Sequence, residues 1–118
     1  MLPPWPYYSE KQIKIVSEVL SSGKVNYWTG NITSDFEKDF SKHCNCKYSV
    51  AVSNGTVALS LAYQALNIRP GDEIITTPRT FIATSSSAVR LGGIPIFSDV
   101  ELDSGNITAN NIEPLITS

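Results

Sequence analysis

Two short segments of this chain carry residue types that can do chemistry together. The first is Ser53-Asn54-Gly55-Thr56, which follows the apolar run Tyr48-Ser49-Val50-Ala51-Val52 and leads into Val57-Ala58-Leu59-Ser60-Leu61-Ala62. This reads as a strand, a small-residue turn and a helix that opens on Gly-Thr. The unpaired N–H groups of a first helical turn and the positive end of its dipole converge on one point, which suits an anion. Thr56 adds a hydroxyl, and Gly55 lets a phosphate approach the backbone. The second segment is Thr76-Thr77-Pro78-Arg79-Thr80-Phe81-Ile82-Ala83-Thr84, which leaves a strand and places Phe81 at a helix start. In an open α/β sheet, ligands collect where strand ends run into such loops. A phosphate cup beside an aromatic face suits a flat, phosphorylated ring.

Each residue also has a plainer reading. Gly55-Thr56 alone can be a helix start with nothing bound, and Phe81 alone reads better as a core residue. Trp28 alone is a packing anchor. Arg79 is either a substrate-phosphate ligand or a solvated loop arginine.

The elements that must position these residues follow from periodicity. Leu2 to Tyr8 is rich in Pro and aromatics and reads as an extended arm. Ser9 and Gln12 have capping-box spacing, Ile13, Val16, Val19 and Leu20 form an amphipathic stripe, and Gly23 is a stop signal. A loop holding Asn26-Tyr27-Trp28-Thr29-Gly30 precedes a second helix, from near Ser34 to His43, with Phe36 and Phe40 one turn apart. From Tyr48 the pattern alternates: strand 48–53, helix 56–66, the turn Arg69-Pro70-Gly71-Asp72, strand 73–77, helix 81–91, Gly92-Gly93, strand 94–98. That order predicts a parallel α/β sheet with crossover helices. The buried face of the helix after Gly55 is expected to be Ala58, Leu61, Ala62, Ala65 and Leu66. The division expected is an arm with helices over 1–47, then the first strands and helices of an α/β domain over 48–118. Asn111 to Ser118 looks like a helix just beginning, which suggests a chain cut short.

Composition narrows the function classes. With 118 residues, 42% of them apolar and 17% charged, the chain has the size and make-up of one soluble domain. A net charge of −2 without any basic run argues against nucleic acid as a partner. The N-terminus Met1-Leu2-Pro3-Pro4-Trp5-Pro6 has neither the charged start nor the apolar run of a signal peptide or membrane anchor. Cys44-Asn45-Cys46 beside His43 lacks a second ligand pair for a metal, and reads as two ordinary thiols of a reducing cytoplasm. The three N-x-T sequons, at Asn31, Asn54 and Asn106, read as chance matches in a chain with no secretion signal.

Several stretches together resemble one family, the pyridoxal-phosphate sugar aminotransferases of the DegT/StrS type. They are Ser53-Asn54-Gly55-Thr56-Val57-Ala58-Leu59, Pro70-Gly71-Asp72-Glu73-Ile74-Ile75, Thr80-Phe81-Ile82-Ala83-Thr84, Leu91-Gly92-Gly93-Ile94-Pro95-Ile96-Phe97-Ser98-Asp99-Val100 and Asn106-Ile107-Thr108. Upstream, Ser22 to Gly30 and Phe36-Glu37-Lys38-Asp39-Phe40 match as well. The resemblance implies the N-terminal part of the large domain of a fold-type I pyridoxal-phosphate transferase. It implies that Gly55 and Thr56 hold the cofactor phosphate, that Val57 adds its N–H, and that Phe81 stacks on the pyridine ring. Trp28, Thr29 and Gly30 would lie near the substrate entrance. The implied enzyme is a cytoplasmic homodimer that moves an amino group, from glutamate, onto a keto sugar carried on a nucleotide, for surface polysaccharide or amino-sugar synthesis.

Two further expectations come with the resemblance. Transamination needs a lysine that binds the cofactor covalently and moves protons. This chain has no lysine beyond Lys47, and Asp99 lies at a strand end that the family does not use for the ring. The chain by itself is therefore expected to be inactive. In the family sheet the first strand does not neighbour the second, so residues 1–118 would leave apolar faces and edges uncovered. Three alternatives stand beside this reading. A dehydratase of the same family replaces the lysine with histidine. A non-catalytic remnant would only associate with other subunits. A Rossmann nucleotide module is disfavoured, since no G-x-G-x-x-G follows a strand.

Overall fold

The first helix begins where side chains satisfy its free amides. In the computed structural model, which describes residues 4–117, Ser9 Oγ accepts the Gln12 N–H while Gln12 Oε1 accepts the Ser9 N–H at 2.8 Å. This closed capping box starts α1, Glu10–Ser21. Its apolar stripe is present but uncovered: Ile13, Val16 and Leu20 are all more than half exposed among the described residues. The second helix, α2, runs Ile32–His43, with Phe36 and Phe40 in ring contact at 5.7 Å.

The structure parts into two units, residues 1–51 and 52–118. The first holds α1, α2 and the loop between them, with no fully buried residue among those described.

The expected strand over 48–53 is absent. Those residues carry no strand pairing, and the Ala51 N–H donates to the Glu37 carboxylate at 2.8 Å. The apolar alternation is real, but a strand exists only where a neighbour supplies the ladder. No such neighbour stands among the described residues.

The second unit is built on one βαβ crossover. Helix α3, Gly55–Ala65, is followed by Asn67 in the left-handed region, φ 61°, which closes the helix with Ile68 N–H donating to Tyr63 O. Strand β1, Glu73–Thr76, leads through α4, Ala83–Val89, to β2, Ile94–Phe97. The two strands pair in parallel with Glu73 opposite Ile94 and Thr76 opposite Phe97. The short helix α5, Ala109–Ile112, runs into a 3₁₀ turn at Glu113–Leu115.

The core sits around α4, whose Ala83, Ser85, Ser87 and Ala88 are buried. Its small side chains let it lie close to both strands and to α3. Two hydrogen bonds tie the helices: Ser87 Oγ donates to Thr56 O at 3.4 Å, and Tyr63 OH to Thr84 O at 3.0 Å. The face of α3 turned to α4 is therefore Thr56, Leu59, Ser60 and Tyr63, all partly buried. The expected face, Ala58, Leu61, Ala62, Ala65 and Leu66, is exposed. Since α3 is apolar on almost every side, composition cannot say which stripe is covered; the available neighbour decides.

Candidate functional site

Asn54 shapes the first turn of α3. Its backbone is extended, with φ −168° and ψ 170°, and its Oδ1 accepts the Val57 N–H at 3.0 Å. This is an N-cap, a role for which Asn is among the best residues. It narrows the expectation at Val57, because that N–H is already bonded to the cap. The N–H groups of Gly55 and Thr56 have no acceptor among the described residues, as follows from their position at a helix start. The Thr56 hydroxyl has no described partner either, while its carbonyl accepts from Ser60 and Ser87. Nothing lies within 4 Å of where a Cβ on Gly55 would stand, so the approach to these donors is open.

Phe81 does not start α4 but stands two residues before it, in a turn where its carbonyl accepts the Thr84 N–H at 3.0 Å. The Thr80 and Thr84 hydroxyls bond at 3.1 Å, and the Arg79 N–H donates to Thr77 Oγ1 at 3.1 Å. The turn is thus held by its own threonines. The ring of Phe81 is 74% exposed, a free aromatic face rather than a core residue. Two amides, a hydroxyl and an open Gly55 fit a phosphate, and the free Phe81 ring fits a flat heterocycle. No amine stands in the second unit, since all six lysines precede residue 48.

Trp28, Thr29 and Gly30 belong to the first unit. Asn26 Oδ1 gathers their turn, accepting from the Trp28 N–H at 3.0 Å and from both the N–H and hydroxyl of Thr29 at 3.1 Å. Gly30 closes it by donating to Asn26 O, and a Cβ on Gly30 would collide with the Lys24 carbonyl. The Trp28 ring is 92% exposed and meets Tyr27 edge-on at 6.2 Å. On the exposed face of α2, the hydrogen bond and charge of Asp35 raise the pKa of Lys38 above its ordinary value.

Sequence reasoning missed Glu37. One carboxylate oxygen takes the Tyr27 hydroxyl at 3.2 Å, the other takes the Ala51 N–H, and its backbone carbonyl accepts from Ser49 Oγ. No local pattern announces bonds spanning 10 to 14 residues. The cap at Asn54 was legible from its residue type before Gly-Thr.

The sequence profile of the DegT/DnrJ/EryC1/StrS aminotransferase family matches residues 6–118. The chain belongs to this family. It is similar to the spore coat polysaccharide biosynthesis protein SpsC of Bacillus subtilis, 37% identical over 112 residues that make up 95% of this chain and 28% of that protein. With GDP-perosamine synthase of Caulobacter vibrioides it shares 40% identity over 88 residues, 75% of this chain and 24% of the relative. The crystal structure of an aminotransferase from Psychrobacter cryohalolentis superposes with a TM-score of 0.94 at 48% identity, covering 99% of this chain and 30% of that one. The family is pyridoxal-phosphate-dependent, and the elements described here form part of a fold-type I domain. The chain spans less than a third of the length of these relatives. Among the described residues no helix is long and apolar enough to cross a membrane, and no group of His, Cys, Asp and Glu could hold a metal ion.

Proposed function

We propose that this chain supplies the phosphate cup and the ring platform of a pyridoxal-phosphate sugar aminotransferase. The observation that carries the reading is the first turn of α3, where two free amides and the Thr56 hydroxyl stand at an unobstructed helix N-terminus. A bound phosphate dianion would receive N–H bonds from Gly55 and Thr56, an O–H bond from Thr56, and the favourable end of the α3 dipole. Val57 contributes its N–H only where Asn54 yields it. Phe81 offers its face to the pyridine ring, and stacking holds the ring plane against rotation. When bound, the cofactor supplies an electron sink for the amino-bearing carbon of the substrate.

Trp28, Thr29 and Gly30 are proposed as substrate contacts, presented by a turn that Asn26 keeps in shape. The substrate is a keto sugar on a nucleotide, the amino donor is glutamate, and the working unit is a cytoplasmic homodimer. The names of the relatives that make a spore coat polysaccharide and GDP-perosamine support a sugar substrate. The proton-moving lysine must come from outside residues 52–118, which contain none. Reading the frame downstream of Ser118 tests this: a lysine-bearing continuation supports transamination, and a histidine at that position redirects the reading to dehydration.

The site is tested in the full-length protein by cofactor absorbance after dialysis. Thr56→Ala removes one charge-assisted bond and is expected to weaken retention roughly tenfold or more. Phe81→Ala removes the stacking face and should weaken it by about 2- to 10-fold. Unchanged retention in both variants overturns the assignment.

A further inference from the structure

Arg79 is an exposed loop arginine, yet its side chain has a specific partner. Its Nη1 donates to the Gly105 carbonyl at 2.8 Å across 26 residues of sequence. Gly105 has φ +63°, and a Cβ there would fall on the Arg79 guanidinium, so the glycine is what admits the side chain. The carbonyl is presented by a self-closed loop. The Glu101 N–H donates to Asn106 O at 3.0 Å, Gly105 N–H to Glu101 O at 2.8 Å, and Asn106 N–H to Ser104 Oγ at 3.2 Å. Both loops leave the same end of the β1–β2 ladder, where Ser98 N–H still donates to Thr76 O at 2.7 Å.

We propose that Arg79 is a positioning residue, bracing the loop after β2 against the loop after β1 and so holding the turn that carries Phe81. Its link to cofactor binding rests on the function proposed above. An anion-binding role does not suit the surroundings. The adjoining open cleft of about 510 Å³ is lined by Arg79 together with the acidic residues Asp99, Glu101 and Asp103. With three acidic residues to one basic residue along it, this cleft disfavours a substrate phosphate. The contact with a neutral carbonyl gives Arg79 a geometric task instead, two residues before Phe81.

The test uses the full-length holoenzyme with Arg79→Met, Arg79→Lys, Gly105→Ala and the double variant Arg79→Met/Gly105→Ala. Three readouts are taken: cleavage by a glutamate-specific protease after Glu101, hydrogen exchange at the Thr84 amide, and cofactor retention. Arg79→Met and Gly105→Ala should each raise cleavage and Thr84 exchange roughly tenfold, as expected for losing an exposed charge-assisted bond. Arg79→Lys, which keeps a donor, should recover part of both. The double variant should be no worse than Gly105→Ala alone, because both changes remove one brace. Unchanged cleavage and exchange in Arg79→Met overturn the brace, whatever the cofactor does. Faster exchange with unaltered retention, in a protein whose Phe81→Ala variant does lose cofactor, overturns the positioning role. If Phe81→Ala itself retains cofactor, the proposed site fails instead, and the two protection readouts still decide the brace.

Discussion

Glu37 offers the sharpest test of how the first unit is held. Its carboxylate accepts the half-buried Ala51 N–H at 2.8 Å and the more exposed Tyr27 hydroxyl at 3.2 Å. Glu37→Ala removes both acceptors and leaves the Ala51 amide without a partner. A bond to a charged acceptor at a partly buried amide contributes about 1.5 kcal/mol, and the exposed tyrosine bond roughly 0.5 kcal/mol, for a total near 2 kcal/mol. Glu37→Gln behaves differently. The amide oxygen can still accept from Ala51 while its NH₂ donates to the tyrosine oxygen, so only the charge is lost. The expected cost is then about 0.5–1 kcal/mol. Hydrogen exchange of the 48–52 segment, followed by mass spectrometry in the full-length protein, reads this locally. About 2 kcal/mol corresponds to roughly 30-fold faster exchange at Ala51 in the alanine variant, against under about fivefold in the glutamine variant. Two results refute the reasoning: equal effects in both variants, which would make charge the cause, or an unchanged Ala51 amide in Glu37→Ala.

The remaining predictions concern packing. In the full-length protein, Tyr63→Phe deletes the hydroxyl that donates to Thr84 O and should destabilise the α3–α4 contact by about 1 kcal/mol, seen as a lower denaturation midpoint with unchanged slope. A polypeptide limited to residues 1–118 should melt without a sharp monomeric transition in circular dichroism and should self-associate. Among the described residues the only buried apolar side chains are Ala83 and Ala88, while Leu61, Leu66, Phe81 and Ile82 stand exposed, too little core to offset chain entropy. A cooperative melt of a monomer would contradict this.

Much of both units was legible where the signals are local. The Ser9–Gln12 capping box, the α3 start at Gly55, and the order β1, α4, β2 need only residue types and spacing, and each stands where expected within a residue or two. Phe81 shows where that stops. The helix pattern extends to it, yet the Thr80–Thr84 hydroxyl pair and the Phe81–Thr84 turn hold it outside α4. The stretch 48–53 has a strand's composition and no strand, because ladder bonds are a property of two segments. The covered face of α3 failed for the same reason: an all-round apolar helix takes its buried side from its neighbour.

The sequence by itself determined the helix start at Asn54-Gly55-Thr56, whose free Gly55 and Thr56 amides and Thr56 hydroxyl are present wherever that helix forms. It determined the family too, through motifs read in order along the chain. Only the tertiary structure decided that Glu37 binds Tyr27 and Ala51 and that Arg79 reaches Gly105. These are bonds between single donors and acceptors 10 to 26 residues apart. A side chain's partner at such a distance depends on where the fold brings the backbone, which no local propensity encodes.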